Sequence, residues 1–256
     1  LSFENPRVFQ GKGVTTWEGL IKSVRAKVKG TKVKIRLGAS SGEWKAMVAD
    51  EAARTTFAKN IKTVLEKNKL DGIDLDFEWA ENEKEYKDYS LAILKMREVL
   101  GDKYLFSVSL HPVCYKISKE AIEAVDFISL QCYGPSPVRF PIEKYCSDIQ
   151  MVLEYGIPKE KLVAGVPFYG VTKDNSKKTE AYFNFVQNGL VTSPAQNEVI
   201  YQGDTYVFDG QDNIRIKTRY AKEQKLKGMM SWDLATDLPL SDSRSLLKTM
   251  TEELRE

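Results

Sequence analysis

The chain has little of what would mark it as a redox, metal or membrane protein. Its 256 residues contain three cysteines, Cys114, Cys132 and Cys146, far apart and without a CxxC pair. An odd, sparse set fits neither a disulfide framework nor a zinc site, and three ordinary buried or half-buried thiols are expected. A single histidine, His111, makes a histidine-based metal centre improbable on composition. It closes a strand as Leu110-His111-Pro112, where a turn-side hydrogen bond is a better expectation than catalysis. No apolar run approaches the ~18 residues of a membrane span. No charged-then-apolar leader is seen either, as in a mature or trimmed chain. Charge of one sign is not in excess: 38 Lys+Arg stand against 36 Asp+Glu. The two signs are interspersed, notably through Glu81–Lys95, as on solvated helix faces, and not gathered into a patch for nucleic acid.

What is present is a core. Hydrophobic residues make up 42% of the chain, enough to exclude disorder. Short apolar strands alternate with longer amphipathic stretches, which predicts βα units, a parallel sheet and one domain over residues 1–256. Strands are expected at Lys32–Leu37, Gly72–Phe77, Tyr104–Leu110, Asp126–Tyr133, Lys161–Tyr169 and Gly228–Asp233. Helices are expected near Thr16–Val28, Ala49–Asn68, Glu83–Leu100, Lys119–Glu123, Pro141–Tyr155, Ile214–Glu223 and Asp242–Arg255. Leu1–Phe3 would supply the end of one further strand, so that a closed eight-stranded barrel would want its first strand from outside the chain. Val171–Lys227 is too long for a plain connection, and Tyr201–Phe208, with Gly203-Asp204 between apolar runs, reads as an inserted hairpin.

The most informative stretch is Asp71-Gly72-Ile73-Asp74-Leu75-Asp76-Phe77-Glu78-Trp79. Alternation in a strand sends Ile73, Leu75 and Phe77 to one face and Asp74, Asp76 and Glu78 to the other, with Asp71 at the entrance. Same-side neighbours lie roughly 6.5–7 Å apart. Like charges in such a row, inside a barrel, push at least one carboxyl to hold its proton, which is what a general acid requires. Glu78 is the last and longest of the three, at the carboxyl end of the strand, where barrel active sites sit. A metal site would want converging ligands from a second acidic strand, and none is present.

The stretch matches DxxDxDxE and resembles glycoside hydrolase family 18, the chitinases and endo-β-N-acetylglucosaminidases. Lys32–Ala39 resembles that family's third strand, Asp126–Tyr133 its sixth, Leu162–Gly170 its seventh and Gly228–Asp233 its eighth. The resemblance implies a (β/α)8 barrel and a retaining, substrate-assisted hydrolysis of β-linked N-acetylglucosamine polymers, without metal or cofactor. It implies Glu78 as proton donor, Asp76 as partner of the acetamido nitrogen and Asp74 as the residue that shares a proton with Asp76. Tyr133 would hold the acetamido carbonyl, and Trp232 would form the floor beneath the reacting sugar. Gln131 and Tyr169 are further lining candidates, and Trp17, Trp44 and Trp79 are candidates for sugar stacking, with Trp44 at the rim.

The sequence departs from the family at two places. Arg36-Leu37-Gly38-Ala39 stands where Ser-x-Gly-Gly is usual, and Gly134 follows Tyr133 where many chitinases carry Asp. Arg36 is expected to pair with Asp74, so that Arg36→Ser would move the acid limb of the pH–rate profile. The implied partner is an N-acetylglucosamine oligo- or polysaccharide, with a monomer acting outside the cytoplasm. Cleavage of the chitobiose core of N-glycans and lectin-like binding without catalysis are the alternatives.

Overall fold

The computed structural model describes residues 17–40, 43–134, 140–174 and 178–256, with side chains from residue 19 onward. The expected strand end at Leu1–Phe3 and the Trp17 side chain lie outside what is described. The chain falls into two compact units, residues 1–108 with 117–126, and residues 109–116 with 127–256.

In the first unit the order is α1 (Trp17–Lys27), β1 (Arg36–Ala39), α2 (Trp44–Ala49), α3 (Glu51–Asn68), β2 (Gly72–Leu75), α4 (Glu83–Leu100), β3 (Leu105–Leu110, which runs on into the second unit) and α5 (Lys119–Ala124). β1, β2 and β3 are parallel neighbours, with Gly38 opposite Asp74 and Asp74 opposite Ser107. The helices begin where side chains satisfy their first N–H groups. Asp50 accepts from Ala53 N at 2.7 Å before α3, and Asn82 accepts from Glu85 N at 3.0 Å before α4. Arg97 of α4 staples the unit, donating to the Ala124, Gly101 and Tyr104 carbonyls and pairing with Asp126 at 2.9 Å.

The second unit holds β4 (Phe127–Leu130), α6 (Ile142–Tyr155), β5 (Leu162–Pro167), β6 (Tyr169–Thr172), β7 (Thr179–Ala181), α7 (Tyr182–Gln187), β8 (Glu198–Tyr201), β9 (Asp204–Val207), α8 (Gln211–Glu223), β10 (Gly228–Trp232) and α9 (Leu246–Arg255). β4, β5 and β10 run parallel in that order. The expected hairpin is present as β8–β9, but the insertion is larger. β6, β7 and α7 join it, and the four strands form an antiparallel sheet in the order β7-β6-β9-β8. β6 and β7, of four and three residues, carry too little alternation of their own to be separated from their surroundings in sequence.

Three expected strands stop two or three residues short: β2 at Leu75, β4 at Leu130 and β5 at Pro167. In each the apolar pattern runs past the last paired residue. Tyr169 accordingly belongs to the antiparallel sheet, and Gln131 and Tyr133 lie beyond β4, in and beside a turn. Cys114 and Cys132 are buried free thiols and Cys146 is half-buried. Burial pushes the Cys132 thiol far up, which keeps it protonated. No helix among the described residues is long and apolar enough to cross a membrane.

Candidate active site

The acidic row of the first unit is built by β2 and the segment after it. Asp71 locks the entrance. Its carboxylate accepts from Ile35 N at 2.8 Å and pairs with Lys34 at 3.3 Å, so it aligns β1 with β2. Beyond it the alternation holds. Ile73, Leu75 and Phe77 are buried at 0%, 0% and 3% exposure, whereas Asp74, Asp76 and Glu78 are half-buried. Phe77 meets Phe57 of α3, Trp44 of α2 and Tyr89 of α4, so the apolar side of the row faces helices. The carboxylates occupy the opposite side. Although β2 ends at Leu75, Asp76 N still donates to Ala39 O at 2.8 Å, which carries the strand direction one residue further.

Glu78 sits where the chain leaves the sheet, its carbonyl held from α2, and Glu81 three residues on is held from α2 and α4. Trp44 Nε1 donates to the Glu78 carbonyl at 2.6 Å. Lys45 pairs with Glu81 at 3.2 Å and with Glu85 at 2.9 Å, and Glu85 accepts from Glu81 N at 2.8 Å. The expectation of Trp44 as a rim residue for sugar is therefore corrected. Trp44 is 1% exposed, stacked on Phe77 at 5.5 Å and 7°, and has no face to offer a ligand. Trp79 is half-buried beside the acid, joined to Glu78 by a cis peptide bond.

Arg36 does pair with Asp74. Its Nη1 lies 3.9 Å from Asp74 Oδ1, a charge contact rather than a direct hydrogen bond. Ser107 of β3, fully buried, supplies the hydrogen bonds: Arg36 Nη1 donates to its hydroxyl, and that hydroxyl donates to Asp74 Oδ1. Burial lowers the pKa of Arg36, and the charges of Asp74 and Asp126 oppose that shift. Sequence reasoning missed Ser107. Its signal was the pair Ser107 and Ser109, alternating with Phe106 and Val108 on an otherwise apolar strand.

The aromatic candidates lie in the second unit. Tyr133 is 5% exposed, its hydroxyl is 3.8 Å from Met230 Sδ, and its ring meets Tyr169 edge-on at 6.4 Å. Phe140 and Val171 complete that cluster. Gly165 is required there, because a Cβ would stand 2.6 Å from Leu130 O and 2.9 Å from the Tyr133 ring. Gln131 is 9% exposed, and its N–H donates to Leu110 O at 2.8 Å. Trp232 ends β10 opposite Pro167 and is 49% exposed, an open indole of the kind that stacks on sugar. A Cβ on Gly134 would meet His111 Nε2 at 3.3 Å, so the buried imidazole takes room that a side chain after Tyr133 would need. His111 itself closes a turn, its carbonyl accepting from Cys114 N at 2.8 Å.

Comparison with known proteins gives these groups their context. Probable chitinase 2 of Drosophila melanogaster is 23% identical over 273 residues, covering 80% of this chain and 56% of that protein. The chain thus spans little more than half the length of that relative. A chitinase crystal structure from Bacteroides thetaiotaomicron superposes with TM-score 0.81 at 22% identity, covering 91% of this chain and 80% of that one. The chitinase-like agglutinin of Robinia pseudoacacia superposes with TM-score 0.77 at 19% identity, covering 92% and 84%. At these identities the likeness shows the fold, the α/β barrel that the family resemblance implied. The sequence profile of glycosyl hydrolases family 18 matches residues 7–237, and the chain belongs to that family.

Proposed function

We propose that the chain hydrolyses β-1,4-linked N-acetylglucosamine polymers, chitin or chitooligosaccharides, by a retaining, substrate-assisted mechanism. The observation that carries this reading is the row Asp74, Asp76 and Glu78, half-buried on the side opposite Ile73, Leu75 and Phe77. Three carboxylates on one side have little structural use and suit acid catalysis.

In this mechanism Glu78 gives its proton to the glycosidic oxygen as the bond to the anomeric carbon breaks. The acetamido oxygen of the same sugar closes on that carbon, forming an oxazolinium ion. Asp76 accepts the acetamido N–H and balances the positive charge, and Asp74 shares a proton with Asp76. Glu78, now a carboxylate, takes a proton from the water that opens the ring. The anomeric configuration is retained after two inversions. Tyr133 is assigned to the acetamido carbonyl and Trp232 to the apolar face of the sugar, both on the family resemblance of their strands. Gln131, Tyr169 and Trp79 are assigned to lining. No cofactor or metal is called for, because the substrate supplies its own nucleophile. Residues 1–256 would act as one catalytic domain, monomeric and exported, since the substrates lie outside the cytoplasm.

Proton NMR of the first product from a chitooligosaccharide tests the mechanism. Initial release of the β-anomer agrees with it, and initial release of the α-anomer contradicts it. The likeness to a chitinase-like agglutinin keeps a second reading in view, carbohydrate binding without turnover. Bound oligosaccharide that stays intact on prolonged incubation would favour that reading. Turnover of a high-mannose glycopeptide in preference to chitotriose would favour the N-glycan core.

A further inference from the structure

The departure at Arg36 has a partner that sequence did not supply. In register, Arg36 of β1 stands opposite Gly72, Gly38 opposite Asp74, and Asp74 opposite Ser107. Paired residues of parallel strands face the same side, so Arg36, Asp74 and Ser107 converge across three neighbouring strands. Arg36 is the one charged side chain of β1, and β3 carries none. A single serine hydroxyl has one proton to give. Here it accepts from Arg36 Nη1 and donates to Asp74 Oδ1. The direction of the second bond is thereby set by the first, because a guanidinium has only donors.

We propose that Ser107 is a positioning residue that hands the orientation imposed by Arg36 on to Asp74, holding Asp74 Oδ1 as an acceptor. Ser107 thereby fixes which carboxylate oxygen of Asp74 faces β3. At 3.9 Å from Oδ1, Arg36 Nη1 meets Asp74 as a charge, and the hydrogen bonds between these two atoms run by way of Ser107. The arrangement replaces a small residue on β1 by a charge plus a relay. It rests on the hydrolytic reading of the row for its catalytic consequence, but the hydrogen-bond relay stands apart from it.

The test uses Ser107→Ala, Ser107→Thr and Arg36→Gln, singly, with Ser107→Ala and Arg36→Gln also combined. On a fluorogenic chitooligosaccharide, Ser107→Ala is expected to lower kcat about tenfold, as for loss of one charge-assisted bond, with KM changed less than about twofold. Ser107→Thr, which keeps the hydroxyl, should recover most of kcat. Arg36→Gln should cost little further in the Ser107→Ala background, because the two act as one unit. Additive losses, or a kcat for Ser107→Ala equal to wild type, would overturn the proposal. Side-chain 15N–1H spectra read the relay without catalysis. Slowly exchanging Arg36 Nη protons are expected in wild type and Ser107→Thr and should average out in Ser107→Ala. Identical Arg36 signals in folded Ser107→Ala would overturn the proposal. Absence of wild-type turnover, with the Arg36 signals behaving as expected, would remove the hydrolytic reading and leave the relay standing.

Discussion

Arg36 Nη1 and Asp74 Oδ1 stand 3.9 Å apart, with the buried Ser107 hydroxyl bonded to both. Sequence reasoning anticipated the charge pair and not the hydroxyl. Both side chains are half-buried, and desolvation is the largest influence on Arg36 and disfavours its charge. Arg36→Met leaves the half-buried Asp74 without its cation and should cost about 1–3 kcal/mol of unfolding free energy. It should also lower kcat by about tenfold. Urea denaturation beside steady-state kinetics separates the two effects.

Trp44 is a support for Glu78, and its hydrogen bond and its ring packing can be removed separately. Trp44→Phe keeps an aromatic ring against Phe77 but loses the N–H to the Glu78 carbonyl. The expected cost is about 1 kcal/mol of stability, with a fall in kcat and an unchanged KM. A sugar-stacking residue would instead raise KM. Trp44→Ala opens a cavity and should cost about 3–5 kcal/mol.

Lys217 and Asp209 form an ion pair at 2.6 Å with side chains 1% and 0% exposed. Burial pushes the Asp209 carboxyl up, and Lys217 and Asn213 pull it back. The Phe140 and Tyr145 rings lie 6.0 and 5.4 Å from the ammonium. Removing one partner strands the other charge in the interior. Either Lys217→Met or Asp209→Ala should destabilise by about 3–5 kcal/mol in urea unfolding. The double variant should cost less than the sum.

Asp242 is held at about 2, below its usual 3.8, by the side-chain bonds and backbone N–H of Arg244. A depressed carboxylate stabilises the fold above the unfolded pKa, and that contribution is lost as pH falls through about 2. Carboxyl 13C titration should give a midpoint near 2 for Asp242 in the wild type. In Arg244→Ala it should rise toward 3.8, with little change in overall stability because the pair is at the surface.

Legibility of the fold followed the strength of local signals. Helix α4 was readable to the residue, Glu83–Leu100, because Asn82 caps its start and Gly101 follows its end. The acidic row was readable because charge alternating with apolar residues leaves a strand few other interpretations. Strand ends at Leu75, Leu130 and Pro167 were not, since apolar composition continues after pairing stops. Trp44 was misread because sequence does not show the Phe77 ring on which it is stacked and buried. Ser107 stood out in sequence as a serine alternating with apolar neighbours, but its partner needed the register that places it opposite Asp74.

The most direct test of the account is hydrolysis of fluorogenic chitobiose and chitotriose glycosides by wild type and Glu78→Gln, both shown to be folded. The account predicts turnover by the wild type and its collapse by at least about 10²-fold in the variant, as for loss of a general acid. Equal turnover by the two proteins would contradict Glu78 as the proton donor, and no turnover by folded wild type would contradict the hydrolase reading itself.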